Sequence, residues 1–258
     1  MAGLFVLEQP GPPGGPRVVL IHGTLDRSGA FVRVVRQLPD TAVTRYDRRG
    51  YARSHRLDPS GPLLQQIGDL HDVVAGRPSV LFGHSFGGVV ALAFAARYPE
   101  LARAVVAYES PMAWEPWWPR ATAGAAALAE GPTAGDAEAA GDAAERFMRR
   151  MIGDARWDAL PEKTRQQRRA EGPALVAELR SIRPPAPAPY QPSALPMPVI
   201  AAHGSRSRPH HMETARTLAA AAPRGELVVV DGASHGVHLS HPAAVADLVR
   251  LALRRADG

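Results

Sequence analysis

The chain has 258 residues, 45% of them hydrophobic, and carries a net charge of +5 from 30 Lys+Arg against 25 Asp+Glu. That length suits one large α/β domain, or a core with an inserted cap, and zero cysteines exclude disulfides, thiolate metal sites and a cysteine nucleophile. No apolar run reaches the ~18 residues of a membrane helix, and the dispersed arginines argue against a nucleic-acid patch, so no membrane or nucleic-acid partner is expected. Residues 1–8 lack a charged segment followed by a long apolar run, so no signal peptide is expected and the expected compartment is the cytoplasm.

In chain order, Leu4 to Leu7 reads as a short strand, and Pro10 to Pro16 as a loop. Arg17 to Ile21 is continuously apolar after its first residue, as expected of a strand covered on both faces. It ends at His22-Gly23-Thr24. Residues Gly29 to Leu38 read as a helix and Ala42 to Tyr46 as the next strand, ending at Asp47-Arg48-Arg49-Gly50. Pro62 to Val74 places Leu63, Ile67, Leu70 and Val74 at helical spacing. Ser79 to Phe82 is a strand, Val89 to Arg97 a helix and Arg103 to Tyr108 a further strand.

From Pro111 to Tyr190 no strand pattern appears. This stretch holds Ala-rich helical pieces, all four tryptophans and many Gly and Pro breaks. Pro184 to Pro198 suits a stiff linker. The alternation then resumes with a strand at Val199 to Ala202, a helix at Arg208 to Ala221, a strand at Glu226 to Val230 and a helix at Pro242 to Arg254. Residues 1–110 and 191–258 are therefore expected to form one α/β core with a doubly wound, mostly parallel sheet. Residues 111–190 are expected to form an inserted helical cap. The run Arg165 to Arg169 reads as a solvated helix face.

Gly83-His84-Ser85-Phe86-Gly87 lies between an apolar strand and a helix, the setting in which the G-x-S-x-G pattern has mechanical meaning. The sharp turn strains the serine backbone, and Gly83 and Gly87 remove neighbouring side chains. Ser85 is the candidate nucleophile. The Phe86 amide, at a helix N-terminus, is a candidate oxyanion donor. A serine needs a base, and the base an orienting acid. His235, in Gly232-Ala233-Ser234-His235-Gly236 after the last strand, is the candidate base. His238 is a candidate pocket residue.

With Leu20-Ile21-His22-Gly23-Thr24, Asp47-Arg48-Arg49-Gly50-Tyr51-Ala52-Arg53-Ser54, the Ser85 turn and the segment Gly232 to Pro242, the chain resembles the α/β-hydrolase superfamily. The resemblance covers nearly all of the chain outside 111–190. It implies that the Thr24 amide is the second oxyanion donor beside Phe86 and that Asp47 is a structural turn residue. It also implies an Asp about three residues after the strand ending at Gly204, but Gly204-Ser205-Arg206-Ser207-Arg208-Pro209 contains no carboxylate. Ser207 stands at that position. Glu109, at the end of the strand following the Ser85 helix, is the candidate replacement, and some branches of the superfamily place their acid there. Asp231, four residues before His235, is the alternative.

Trp114, Trp117, Trp118 and Met112, just after Glu109, are candidate substrate-pocket residues. Arg206, Arg208, His210 and His211 follow a strand end on the same side, where they read chiefly as solvated surface. With no nucleotide-binding glycine loop, zinc spacing or redox motif, no cofactor and no metal are expected. The expected function is that of a cofactor-free serine hydrolase on a small or medium ester, lactone or thioester, a small-molecule substrate. A serine nucleophile argues against the carboxylate-based chemistry of haloalkane dehalogenases and epoxide hydrolases. The alternatives are a carbon–carbon bond hydrolase on the same triad, and a non-catalytic ligand-binding protein of this fold.

Overall fold

A computed structural model of the protein describes residues 3–58 and 63–258. Seven strands form one sheet: β1 (Val6–Gln9), β2 (Arg17–Ile21), β3 (Ala42–Tyr46), β4 (Ser79–His84), β5 (Ala102–Tyr108), β6 (Val199–Gly204) and β7 (Gly225–Val230). Their spatial order is β1-β3-β2-β4-β5-β6-β7. All pairings are parallel except that of β1 with β3. The interior strands β2, β4 and β6 are buried along their whole length, which is why they read as unbroken apolar runs.

The helices are α1 (Val32–Val35), α2 (Leu63–Val74), α3 (Phe86–Arg97), α4 (Ala123–Ala127), α5 (Ala137–Ile152), α6 (Asp154–Asp158), α7 (Glu162–Ala170), α8 (Gly172–Ser181), α9 (Pro209–Ala221), α10 (Val237–Ser240) and α11 (Pro242–Asp257). α3 is apolar all round and buried from Phe86 to Ala95, as a helix enclosed by the core must be. Complete burial of Phe94 alone stabilises the fold by roughly 1.5–3 kcal/mol. Arg17, at the start of β2, is buried because its guanidinium donates to the Val73 and Val74 carbonyls at the end of α2 and to Thr44 Oγ1. Those carbonyls are the acceptors a helix C-terminus leaves unpaired.

Two local expectations change. The first strand begins at Val6 rather than Leu4, because its antiparallel register on β3 runs from Val6 opposite Tyr46 to Gln9 opposite Val43. The stretch 29–38 forms only a 3-10 turn, Ser28–Phe31, and the single turn of α1. Val32, Val34 and Val35 lose rotamer freedom in a helix, and Pro39 cannot extend it. The predicted start of α2 at Pro62 lies outside the described residues.

Between β5 and β6 the chain runs through α4 to α8. Thr122 Oγ1 accepts from the Ala125 amide at 3.1 Å and Asp136 Oδ1 from the Ala139 amide at 3.0 Å, capping α4 and α5. Each cap contributes about 1 kcal/mol. Ala127, Ala140, Ala143, Ala144, Leu175 and Leu179 form a small core that also takes in Leu25 and Tyr51 from the sheet side. α7 buries no residue, and Arg165 and Arg169 on it pair with Glu162, Asp142 and Glu145.

Candidate active site

Ser85 sits between β4 and α3 at φ 53° and ψ −124°, a conformation that costs a non-glycine residue about 1–3 kcal/mol. The neighbouring packing holds it there. A Cβ on Gly83 would lie 2.4 Å from the Gly87 carbonyl oxygen, and one on Gly87 would lie 2.3 Å from that of Ile21. The Ser85 amide donates to the Tyr108 carbonyl at 2.9 Å, and the Gly88 amide donates to the Ser85 carbonyl at 2.8 Å. The Phe86 amide lies in the first turn of α3, where N–H groups have no intrahelical acceptor.

Glu109 follows β5 and is also held at positive φ, 48°. It is 1% exposed. Its Oε2 lies 2.7 Å from His235 Nδ1. Its Oε1 accepts from Ser207 Oγ and, at 3.2 Å, from the Gly204 amide. Burial pushes its pKa up, but the bonds from His235, Ser207 and Gly204 outweigh burial and leave it below the ordinary carboxylate value. The ionised carboxylate makes His235 Nδ1 the protonated nitrogen, which leaves Nε2 as an acceptor. Asp231 takes no part. It is exposed, and its Oδ1 accepts from Ser205 Oγ at 3.0 Å.

The His235 loop is fixed on three sides. Tyr108 OH donates to the Ser234 carbonyl at 3.0 Å, and His84 Nε2 donates to the His235 carbonyl at 2.7 Å. The His211 ring stacks on that of His235 with centroids 4.8 Å apart. Burial, then the nearby His235, holds His211 well below the ordinary histidine value, so a neutral ring packs there. Burial, then the neighbouring His238 and His235, do the same to His84.

Thr24 follows β2 in a turn built by two residues. His22 Nδ1 donates to the Gly23 carbonyl at 2.7 Å, and its Nε2 accepts from the Arg48 amide at 2.8 Å. Burial and the neighbouring Arg48 push the His22 pKa down to about 3. Asp47 accepts from the Ser28 and Arg53 amides and so braces the arginine-rich turn. Thr24 Oγ1 donates to Glu178 Oε2 at 2.9 Å, which ties this turn to α8.

Ser85, Phe86, Thr24 and His235 line one cleft of about 1020 Å³, part of it open to solvent. Its apolar wall comes from Phe147, Met151, Leu179 and Ile182 on the helical insertion. Of the aromatic residues expected in it, Trp118 lines the cleft. Trp114, Trp117, Met112 and His238 are not in its lining. Trp114 meets Tyr190 edge-on and packs on the sheet-side core, and Trp117 is 38% exposed. Met112 is buried. His238 is buried against Phe31, with Nε2 3.1 Å from Asp26 Oδ2. Sequence proximity to Glu109 or His235 misleads here, because neighbouring side chains point different ways: Pro111 and Ala113 line the cleft while Met112 between them is buried elsewhere. The roles of Ser207, Glu178 and His211 carry no motif. Only the missing carboxylate after Gly204 points to Ser207.

Among the described residues, two groups bring three metal-capable donors within 4.8 Å of one another: Asp26, His84 and His238 by the Ser85 turn, and Glu109, His211 and His235 at the cleft. In the second group the carboxylate already holds His235. An imidazole oriented by an ionised carboxylate, on the same cleft as a half-buried serine on a strained turn, is the arrangement that can move a proton from that hydroxyl.

Known proteins share this architecture. The chain is 34% identical over 105 residues to the human (Homo sapiens) Serine hydrolase-like protein, covering 38% of this chain and 51% of that one. It is 31% identical over 109 residues to Lipase LipV of Mycobacterium tuberculosis, covering 42% of each. The chain thus spans about half or less of the length of these relatives. A thermophilic esterase from Thermogutta terrifontis superposes with a TM-score of 0.73 at 21% identity, over 99% of this chain and 94% of that one. A family model described as the alpha/beta hydrolase family matches residues 18–248, which span the sheet from β2 through β7 and every residue of the cleft. The chain belongs to the alpha/beta hydrolase family.

Proposed function

We propose that the protein is a serine hydrolase that cleaves a small or medium ester, lactone or thioester through an acyl-enzyme. The observation that carries this reading is the buried Glu109 carboxylate bonded at 2.7 Å to His235, on a cleft that Ser85 also lines. Ser85 Oγ attacks the substrate carbonyl carbon, and His235 Nε2 takes its proton. The Thr24 and Phe86 amides hold the resulting oxyanion, each worth about 3 kcal/mol. His235 then gives the proton to the leaving oxygen or sulfur, and the acyl group stays on Ser85. A water molecule attacks the acyl carbon, His235 takes its proton and returns it to Ser85, and the acid leaves. Side chains and water carry every proton and electron pair in this sequence, so the reading calls for no cofactor.

Residues 111–190 act in this proposal as a cap whose Phe147, Met151, Leu179 and Ile182 receive the apolar part of the substrate. The serine hydrolase-like, lipase and esterase names among the similar proteins support the reaction class. A fluorophosphonate probe should label the protein, and Ser85→Ala should abolish labelling and the hydrolysis of p-nitrophenyl esters. Labelling that persists in Ser85→Ala would overturn the proposal.

A further inference from the structure

The charge of the cleft is one-sided. Among the described residues, its lining includes Arg183, Arg206 and Arg208, and no Asp or Glu. The nearby carboxylates are already engaged, Glu109 by His235 and Ser207, and Glu178 by Arg48, Gln66, Tyr51 and Thr24. Arg206 and Arg208 are exposed at the rim. Arg183 is different, because it is partly buried inside the cleft.

The other partly buried arginines of the insertion pair with acids. Arg146 meets Glu130, Arg149 meets Glu145, Arg168 meets Glu171, and Arg169 meets Asp142 and Glu145. Arg183 has no carboxylate within 4 Å among the described residues. Its one side-chain hydrogen bond is from Nη2 to Thr122 Oγ1 at 3.3 Å. A guanidinium has five N–H donors, so most of this fork has no protein acceptor among the described residues. Burial lowers its pKa, with no acid to offset the loss of water. A partly desolvated cation without a partner costs stability, and a ligand anion would remove that cost.

We infer that Arg183 forms an anion subsite, and that the substrate of the Ser85 cleft carries a carboxylate separated from the scissile carbonyl by an apolar segment. The inference rests on the hydrolase reading for the word substrate, but not for binding. Ser85 and Arg183 border the same cleft, with the apolar Leu179 and Ile182 beside Arg183. With Arg206 and Arg208 exposed, Arg183 is the half-buried guanidinium of the cleft, and one such group balances one charge, which favours a carboxylate over a phosphate monoester carrying close to two. The planar fork also matches a carboxylate in two parallel bonds.

The test compares p-nitrophenyl hexanoate with the p-nitrophenyl monoester of adipic acid, which has the same chain length and a terminal carboxylate. Wild type should show at least a tenfold higher kcat/KM for the adipate monoester. Arg183→Gln should reduce that ratio at least tenfold, and Arg183→Lys should recover part of it. A second arm needs no turnover. Ser85→Ala, followed by tryptophan fluorescence of Trp118 in the cleft, should bind monomethyl adipate at least tenfold more tightly than methyl hexanoate, and Arg183→Gln in that background should erase the difference. Equal constants for the charged and neutral probes in both arms, or ratios unchanged by Arg183→Gln, would overturn the subsite. Should no ester be cleaved while the Ser85→Ala protein still binds monomethyl adipate through Arg183, the hydrolase reading falls and the subsite stands.

Discussion

Replacing Glu178 with alanine should destabilise the protein by about 3–5 kcal/mol, the usual cost of stranding a buried charge. Glu178 lies on α8, with a side chain 1% exposed. It accepts from Arg48 and Gln66 on Oε1 and from Tyr51 and Thr24 on Oε2. All of these donors belong to the sheet side of the molecule, so this one carboxylate joins the insertion to the turn that carries Thr24. Burial lowers the Arg48 pKa, but Glu178 more than offsets this and raises it. Without Glu178 the Arg48 guanidinium, itself 1% exposed, keeps only Gln66 and the His22 carbonyl. The loss is a large part of a total stability of about 5–15 kcal/mol. Glu178→Gln keeps the shape but replaces one acceptor oxygen with an NH2 donor, and should cost about 1–3 kcal/mol. Arg48→Met in the Glu178→Ala background removes the stranded charge and should recover part of the loss. Urea unfolding can be followed by two signals. Far-UV circular dichroism reports the whole chain, whereas tryptophan fluorescence reports the insertion, because all four tryptophans lie between residues 114 and 157. In Glu178→Ala the fluorescence midpoint should fall further than the dichroism midpoint. A loss under about 1 kcal/mol, or no recovery with Arg48→Met, would refute the reasoning.

Glu109→Gln should lower kcat by roughly 10³–10⁴-fold with the dichroism spectrum unchanged, because the amide no longer selects the reactive His235 tautomer. Asp231→Asn should leave kcat unchanged, which steady-state kinetics on one ester will check. Ser207→Ala removes a donor from Glu109 Oε1, so the carboxylate pKa should rise and the acid limb of the kcat profile should move to higher pH. Ser207→Thr, which keeps the hydroxyl, should restore the wild-type limb. Stability should fall as pH drops below about 6.5, the value of a free histidine. His22 is pushed down to about 3, and His84 and His211 are held well below the ordinary value, so in this range the unfolded chain binds more protons than the folded one. His22 alone contributes a slope of roughly 1.4 kcal/mol per pH unit between about 6.5 and 3. Glu109, depressed in the fold, adds a further loss as pH falls below its ordinary value of 4.5 toward its folded one. Urea midpoints at pH 8, 6, 5 and 4 should decline monotonically, and a flat series would contradict the neutral state of these histidines.

The fold was largely legible because its signals are local. A strand buried on both faces must be apolar throughout, so β2 and β4 appear as unbroken runs. A helix enclosed like α3 must be apolar all round. The strained turn at Ser85 tolerates no side chain at Gly83 or Gly87, so glycine marks it. The pairing of Glu109 with His235 was also within reach, by elimination after Gly204 and by the adjacency of β5 and β6. The misplaced residues, Trp114, Trp117, Met112 and His238, fail for one reason. Nearness along the chain to a site residue says nothing about which way a side chain turns.

Sequence alone thus determined the order of strands and helices along the chain and the strained serine turn, since each follows from local backbone sterics and burial. Tertiary structure decided what surrounds them. Ser207 reaches Glu109 across 98 residues, and Glu178 reaches Thr24 across 154. Among the described residues Arg183 has no acid partner, while the other partly buried arginines of its insertion find one. Such partnerships depend on which loops meet at the carboxyl ends of the sheet, a matter of packing that periodicity along the chain does not encode.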